Sequence, residues 1–344
     1  MQLHARIGLF AAAVLFSAGA LAQGAAAPTT LLNVSYDVMR DFYKDLNPAF
    51  TKHWKDKTGE TIVINMSHGG SSRQARAVAD GLDADVITMN QATDIDLLAS
   101  RGLVPADWSK RLPNASAPFT TATVFIVRKG NPKNLRDWND LVQPGVQVIV
   151  PNPKTSGNGR YTYLTAWEYA RRNAKTSDIA DPAARGQDFV GRLFRNVPVL
   201  DTGGRGATST FIQSNIGDVL VTFEQEAELI AREFGRGNFE VVYPSLTILV
   251  EPPVAIVDKV VDRKGTRKPA QAYLDFLYSP EGQEIAAQNY LRPRNADVAK
   301  KYAAQFPRLA TFTIDESFGG WARAQKEHFD DGGLFDRIFA KTGR

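Results

Sequence analysis

Short apolar segments alternate with amphipathic ones along most of the chain. Eight of these apolar segments have the length of a β-strand: Leu31–Ser35, Thr61–Asn65, Asp85–Thr88, Val124–Arg128, Val146–Val150, Val197–Leu200, Asp218–Phe223 and Val254–Val257. Strands that alternate with helices are typical of βαβ units. The pattern therefore predicts an α/β fold.

Two of the intervening segments show a clear helical period. The apolar positions 75, 78, 79 and 82 follow the i, i+3, i+4, i+7 spacing, and Tyr163, Ala166, Trp167 and Ala170 repeat it. Each segment is predicted to be a helix with one buried face. After Pro269 the pattern is mostly helical, and Ser279-Pro280 is predicted to be a helix cap and first-turn pair.

Two proline-containing stretches interrupt the alternation. They are Leu112–Thr123 and Ser245–Pro253. Both are predicted to be connections between two lobes, so that the chain leaves the first lobe, builds the second and returns. The resulting division is residues 28–117 plus 251–344 for lobe 1 and 118–250 for lobe 2.

Three loops rich in small residues follow predicted strands and precede predicted helices: Ser67–Ser72, Asn152–Gly159 and Thr202–Ala207. Ligands of α/β sheets bind at the carboxyl ends of the strands. The first turn of a helix offers unpaired N–H groups and the positive end of its dipole. Together the loops predict a site for an anion, although glycine after a strand often serves turn geometry alone.

Composition narrows the function classes. The chain has 344 residues, a net charge of +4 and no cysteine. Its length suffices for two domains, and the absence of cysteine excludes disulfides, thiolate metal sites and cysteine nucleophiles. The densest basic stretch, Lys259–Lys268, is interpreted as a solvated loop, so no nucleic-acid partner is expected.

The N-terminus has the features of an export signal. Arg6 precedes the apolar run Ile7–Phe16, and Ala20-Leu21-Ala22 fits a cleavage site. Residues 1–22 are therefore predicted to be a secretory signal peptide. The run is too short to span a bilayer, and the mature protein is expected in the periplasm, provided that an outer membrane confines it.

Catalytic and cofactor motifs are missing from the sequence. It contains no P-loop, no G-x-G-x-x-G, no G-x-S-x-G and no H-E-x-x-H. The four histidines lack metal-ligand spacing. Ser156 is a conceivable nucleophile, but helix capping or donation to a ligand explains it more simply. We therefore expect no cofactor, no metal and no enzymatic activity.

At the three loops the chain resembles the sulfate/thiosulfate-binding proteins, the periplasmic receptors of sulfur-oxyanion ABC transporters. The resemblance extends over nearly the whole chain after the signal. It is carried by Asn33-Val34-Ser35-Tyr36-Asp37, Ser67-His68-Gly69-Gly70-Ser71, Val127-Arg128-Lys129-Gly130-Asn131-Pro132-Lys133, Asn152-Pro153-Lys154-Thr155-Ser156-Gly157, Gly217-Asp218-Val219-Leu220 and Tyr278-Ser279-Pro280-Glu281-Gly282-Gln283. It implies a two-lobe periplasmic-binding-protein fold of type II, each lobe a sheet flanked by helices, closing over a dehydrated tetrahedral dianion.

The resemblance also implies which residues form the site. The family's ligand contacts fall on Ser71, Ser156, Gly157, Asn158 and Gly204, mostly through backbone N–H groups. Asp37 matches a carboxylate that supports the peptide groups of the site, and helix capping by Asp37 is compatible with that role. Arg205 is expected to organise its own loop, with a surface role as the alternative.

One departure from the sulfate-type pattern concerns selectivity. Where sulfate-type members carry a tryptophan that donates to the anion, this chain has Phe223. Phe223, the run Asp201–Thr208 and Asn90-Gln91-Ala92-Thr93-Asp94 are similar to the thiosulfate-type branch. A terminal sulfur accepts hydrogen bonds poorly, so an apolar aromatic edge suits it. The alternative is that Phe223 is only a core residue.

These observations predict a receptor that binds thiosulfate, sulfate or both and delivers the anion to an inner-membrane ABC permease, as a monomer. Two alternatives remain open at this point. One is a secreted phospho- or sulfo-ester hydrolase that uses Ser156, and the other is a receptor for another oxyanion such as molybdate or phosphate. A site made only of donors disfavours protonated phosphate, whose O–H would be unpaired.

Overall fold

The structure is a computed structural model that describes residues 28–235 and 237–342. The predicted signal peptide lies outside the described residues. The strands are β1 (Thr29–Tyr36), β2 (Ile62–Gly69), β3 (Val86–Thr88), β4 (Phe119–Arg128), β5 (Val148–Pro151), β6 (Leu200–Asp201), β7 (Val219–Phe223), β8 (Phe239–Val242), β9 (Thr247–Val250), β10 (Val254–Ile256), β11 (Arg292–Pro293) and β12 (Thr311–Phe312).

Helices fill the intervals between the strands. They are α1 (Arg40–Thr58), α2 (Ser71–Ala79), α3 (Ala92–Ser100), α4 (Pro113–Ser116), α5 (Trp138–Leu141), α6 (Gly157–Arg172), α7 (Pro182–Arg195), α8 (Gly204–Ile212), α9 (Glu224–Glu233), α10 (Asp258–Lys264), α11 (Arg267–Tyr278), α12 (Pro280–Gln288), α13 (Ala296–Lys301), α14 (Ile314–Phe318), α15 (Trp321–Ala324) and α16 (Leu334–Ala340). None of the helices in this described part of the chain is long and apolar enough to cross a membrane.

The strands form two sheets. The first has the order β10-β3-β1-β2, in which β1 is parallel to both β2 and β3 and β10 is antiparallel to β3. The second has the order β12-β9-β4-β7-β5-β6, and β8 and β11 also pair with β4. Within it, β5 is parallel to β6 and β7, so both sheets present the carboxyl ends of parallel strands.

The predicted connections are partly strand. β4 begins at Phe119, inside the first predicted connection, and β9 lies inside the second. The start of β4 was not predicted because Thr120, Thr121 and Thr123 are polar and interrupt the apolar run. Threonine is nevertheless β-branched and favours strands. All three are buried, and the hydroxyl of Thr121 lies 2.6 Å from Gln225 Oε1.

The helix α6 differs from its prediction. Every residue from Gly157 to Ala170 is buried, so the helix has no solvent-facing side over most of its length. The buried carboxylate of Glu168 is paired with Arg171 and Arg172 and accepts a hydrogen bond from Ser317 at 2.9 Å. The prediction of a single buried face for α6 was wrong, because its polar residues are paired inside the protein rather than hydrated.

The C-terminal segment packs on elements of the second sheet. α16 lies against α7, Asp336 pairs with Lys154 at 3.0 Å, and Trp321 contacts Tyr161 edge-on at a centroid distance of 4.9 Å. These contacts connect residues assigned by the predicted division to lobe 1 with residues assigned to lobe 2. The division itself stays a prediction.

The basic stretch Lys259–Lys268 is helical rather than a loop, and it is anchored to the first sheet through Asp85. Asp85 is fully buried and accepts hydrogen bonds from Leu32 N at 2.7 Å and Thr266 Oγ1 at 2.5 Å. It also pairs with Lys264 of α10. One carboxylate thus fixes α10 and the start of α11 against β1.

We expect Asp85→Ala to lower the free energy of unfolding by about 3 kcal/mol, because buried donors lose their acceptor. Asp83→Ala is the control: its ion pair with Arg263 is exposed, so the loss should be under about 1 kcal/mol. Urea unfolding followed by circular dichroism measures both. Equal losses in the two variants would contradict the anchoring role of Asp85.

Candidate functional site

Three helix N-termini follow strands whose carboxyl ends point the same way within their sheets. α2 begins at Ser71 after β2, α6 at Gly157 after β5, and α8 at Gly204 shortly after β6. The residues before them are Gly70, Ser156 and Gly203, and none caps its helix with a side chain. The first-turn N–H groups of the three helices therefore receive no cap from the side chain that usually supplies it, that of the residue before the helix.

The three loops meet at Gly70. A Cβ atom on Gly70 would lie 2.7 Å from Thr202 O and 2.8 Å from Thr155 O, and a Cβ on Gly203 would lie 3.5 Å from Gly70 Cα. Real Cβ atoms do not approach backbone oxygen so closely. Glycine at this position allows the loops before α2, α6 and α8 to touch.

Gly204 and Asn158 are also brought together. A Cβ on Gly204 would lie 2.8 Å from Val38 Cγ1 and 3.5 Å from Asn158 Nδ2. Asn158 is 2% exposed, and its Nδ2 donates to Thr222 Oγ1 at 3.2 Å. The first turns of α6 and α8 therefore face each other next to the end of β7.

Asp37 lies directly after β1 and holds the loop of α8. Its Oδ2 accepts the backbone N–H of Arg205 at 3.1 Å, and burial raises the pKa of this carboxyl group above its ordinary value. The guanidinium of Arg205 pairs with Asp41 and lies 3.3 Å from Glu226 Oε1. Arg205 is thus engaged by carboxylates of two other elements, α1 and α9.

The hydroxyl proton of Ser71 is used inside the protein. It donates to Asp94 Oδ2 at 2.5 Å and accepts from the backbone N–H of Asn90 at 3.1 Å. Ser71 is 1% exposed and Asp94 is 4% exposed. What Ser71 can offer a ligand is its backbone N–H at the start of α2.

Phe223 is the last residue of β7 and is fully buried. Its ring has edge contacts with Tyr36 and Tyr161, at centroid distances of 6.4 and 5.7 Å. The ring borders the segment Tyr36-Asp37 on one side and the first turns of α6 on the other. An aromatic ring here supplies an apolar surface and no hydrogen-bond donor.

The cations before and in the first turns of α6, Lys154 and Arg160, are engaged by other groups of the protein. Lys154 Nζ donates to Phe329 O at 2.9 Å and pairs with Asp331 and Asp336. Arg160 Nε donates to Pro153 O at 2.8 Å. Within the described ranges 28–235 and 237–342, no group of His, Cys, Asp and Glu could hold a metal ion.

Sequence reasoning missed Glu226. This residue lies in the first turn of α9, is fully buried and accepts from Thr208 Oγ1 at 2.8 Å. Its burial raises its pKa to about 7, against the opposing effect of Arg205. Glutamate is common in the first turn of a helix, so the sequence alone does not single out Glu226. Its burial does, and burial is visible only in the structure.

Comparison with known proteins identifies the family. The chain matches the family model of the bacterial extracellular solute-binding proteins over residues 31–292. The chain belongs to this family.

Individual members of this solute-binding family are similar over most of their length. The thiosulfate-binding protein of Pseudomonas aeruginosa is 64% identical over 333 residues, which cover 96% of this chain and 98% of that one. The sulfate-binding protein of Escherichia coli is 57% identical over 308 residues, 90% and 92% of the two chains.

Among solved structures, the sulfate-binding protein SubI from Mycobacterium tuberculosis superposes with a TM-score of 0.78 at 32% identity, covering 88% of this chain and 100% of that one. The predicted resemblance and the predicted type II two-lobe α/β fold are confirmed by these matches.

We expect Glu226→Gln to stabilise the protein at pH 8 and to leave its stability unchanged near pH 4. A carboxyl whose pKa is raised from 4.5 to about 7 on folding binds more protons in the folded state, so its contribution to stability falls as pH rises through that window. Glutamine cannot ionise, and the gain at pH 8 should reach up to about 3 kcal/mol.

Thermal unfolding at both pH values measures this difference. Glu281→Gln is the matched control, since Glu281 is an exposed glutamate in the first turn of α12 and should change stability by under about 1 kcal/mol. A Glu226→Gln variant that is less stable than the wild type at pH 8 would contradict the prediction. It would show that the ion pair with Arg205 outweighs the cost of burying the ionised carboxylate.

Proposed function

We propose that this protein is a periplasmic solute receptor that binds thiosulfate and sulfate and delivers them to an ABC permease without chemical change. The observation that carries the proposal is the meeting at Gly70 of the loops before three helix N-termini, none of which is capped by the side chain of its preceding residue. The relatives of the chain are named thiosulfate-binding and sulfate-binding proteins. The ligand contacts are Ser71, Ser156, Gly157, Asn158 and Gly204, as inferred from the sequence.

Charge-assisted hydrogen bonds hold the anion in this proposal. Each is worth roughly 1.5–3 kcal/mol, so several together offset the dehydration of a dianion without a contacting lysine or arginine. The arrangement of the cations agrees with this, because Lys154 and Arg205 are paired with carboxylates. Asp37 and Arg205 are site-supporting residues that fix the peptide group at the start of α8.

A hydrolase is the weaker alternative. Ser156 would need a general base, and the relatives are named as binding proteins rather than enzymes. Buried His328, whose ring nitrogen Nδ1 lies 3.0 Å from the hydroxyl of Tyr163, has its pKa lowered to about 4 by burial. It belongs to an aromatic cluster with Tyr163 and Trp167 rather than to the start of α6.

The remaining parts of the proposal concern where the protein acts and which partner it serves. The protein is exported by a cleavable signal peptide, acts in the periplasm as a monomer and docks on an inner-membrane permease complex. A relative matching 20% of this chain at 53% identity is named a sulfate/thiosulfate import ATP-binding protein, from Cucumis sativus. The family description as extracellular agrees with export.

Thiosulfate should raise the melting temperature of the ligand-free protein, and chloride at matched ionic strength should not. Ligand at 100 times its Kd adds about 2.7 kcal/mol to the folded state, which corresponds to about 4 °C in a chain of this size. Differential scanning fluorimetry after removal of co-purified anion measures the shift.

Ser156→Asp is the companion variant, because a carboxylate at the start of α6 repels a dianion and should abolish the shift. A wild type that melts at the same temperature in chloride, sulfate and thiosulfate would refute the proposed function. Turnover of a sulfate or phosphate ester would instead support the hydrolase.

Phe223→Trp should shift selectivity towards sulfate. An indole N–H at the end of β7 adds a donor for an anion oxygen, which is worth roughly 1.5–3 kcal/mol, or some tenfold to a hundredfold in the ratio of the two affinities. The larger ring costs about 1–3 kcal/mol in this packed position, so the ratio is the quantity to measure, by calorimetry with both anions. A ratio unchanged, or moved towards thiosulfate, would mean that Phe223 does not set selectivity.

A further inference from the structure

Asn90 lies between β3 and α3, at the carboxyl end of the first sheet, and is 2% exposed. Its backbone is held from two sides. The N–H donates to Ser71 Oγ at 3.1 Å, and the carbonyl accepts from the hydroxyl of Tyr161 in α6 at 2.8 Å. The residue therefore bridges the start of α2 and the first turns of α6.

The side chain of Asn90 lies directly against the first residue of α6. A Cβ atom on Gly157 would lie 1.9 Å from Asn90 Oδ1 and 2.7 Å from Nδ2. The carboxamide thus occupies the space that a side chain at Gly157 would need. It is positioned beside N–H groups that have no capping side chain.

The oxygen of this carboxamide is not satisfied by the described residues. Asn90 Oδ1 is buried and has no hydrogen-bond partner among the residues that the structure describes. A buried polar group without a partner is costly, and native proteins rarely leave one unless another molecule completes it. The oxygen of its neighbour Gln91 is also buried without a partner in the described part of the chain, but Gln91 Nε2 donates to Asp94 Oδ1 at 3.1 Å and to Ser72 Oγ at 3.3 Å, whereas Asn90 lies against the first residue of α6.

The chemistry of the missing partner follows from the surroundings. Sulfate and thiosulfate at neutral pH only accept hydrogen bonds, so a carboxamide beside them must present its nitrogen. The two ends of a carboxamide have nearly the same shape, and a half-turn of the group exchanges them. Such a rotation replaces an unpaired acceptor at the start of α6 with a donor.

We propose that Asn90 is a further ligand-binding residue, whose side-chain amide donates to the anion held at the start of α6. This inference rests on the proposed function and extends it to a segment of the first sheet outside the three glycine-rich loops. The anion would then be bound by main-chain groups on several sides and by one neutral side-chain donor from the end of β3.

The test is calorimetric titration of thiosulfate and of sulfate into anion-free protein. Asn90→Ala should weaken both anions tenfold to a hundredfold, as expected for the loss of one charge-assisted hydrogen bond. Asn90→Asp, which keeps the shape but places a carboxylate at the site, should weaken them at least a hundredfold. Asn90→Ser, which retains a donor, should bind more tightly than Asn90→Ala.

The matched control is Asn65→Ala on the exposed side of β2, which should bind as the wild type does. Melting temperatures of the anion-free variants separate a folding defect from a binding defect, and Asn90→Ser preserves the test if Asn90→Asp does not fold. Affinities of Asn90→Ala within twofold of the wild type for both anions would overturn the role of Asn90. Failure of the wild type to bind either anion would instead overturn the proposed function.

Discussion

The close approach of three loops at Gly70 is the constraint on which the site depends. Backbone oxygens of Thr155 and Thr202 stand where a Cβ atom would be. Any side chain at this position would separate the start of α2 from the starts of α6 and α8. The positive ends of the three helix dipoles would then no longer lie close enough to act on one ligand, because the effect of a helix dipole falls off within about one helical turn. The lack of a side chain at Gly70 thus allows the three helix N-termini to lie close together.

The charged residues around the site form a supporting layer. Arg205 is paired with Asp41 and Glu226, and Asp37 accepts its backbone N–H. Burial raises the pKa of both Asp37 and Glu226, and for Glu226 the nearby carboxylates of Asp37 and Asp41 add to the rise. In the proposed site most donors are peptide groups, which carry no counter-ion and have a fixed direction.

The sequence predicted the two-lobe α/β fold and placed the glycine-rich segments at the carboxyl ends of strands, because strand-length apolar runs and glycine clusters follow from backbone geometry. The predicted loop Ser67–Ser72 was partly wrong, since Ser67–Gly69 belong to β2. It also predicted the cap at Ser279, whose hydroxyl accepts from Gly282 N at 3.0 Å. The hydrogen-bond partners and the burial of individual side chains could not be predicted from the sequence. Whether Ser71 donates its hydroxyl to Asp94, or Glu226 is buried, depends on residues far apart in the chain, and no local pattern encodes such pairings.

The burial of α6 has a consequence for how the protein tolerates solutes of different size. The helix is enclosed along its first 14 residues, from Gly157 to Ala170, by the core of the protein. Its first turn cannot tilt or slide towards a smaller or larger solute without opening voids or clashes elsewhere, and dense interiors resist both. In the proposed site the start of α6 therefore keeps a fixed position. For the proposed site this means that discrimination between solutes of different size is set by the side chains around the start of α6 and not by movement of the helix.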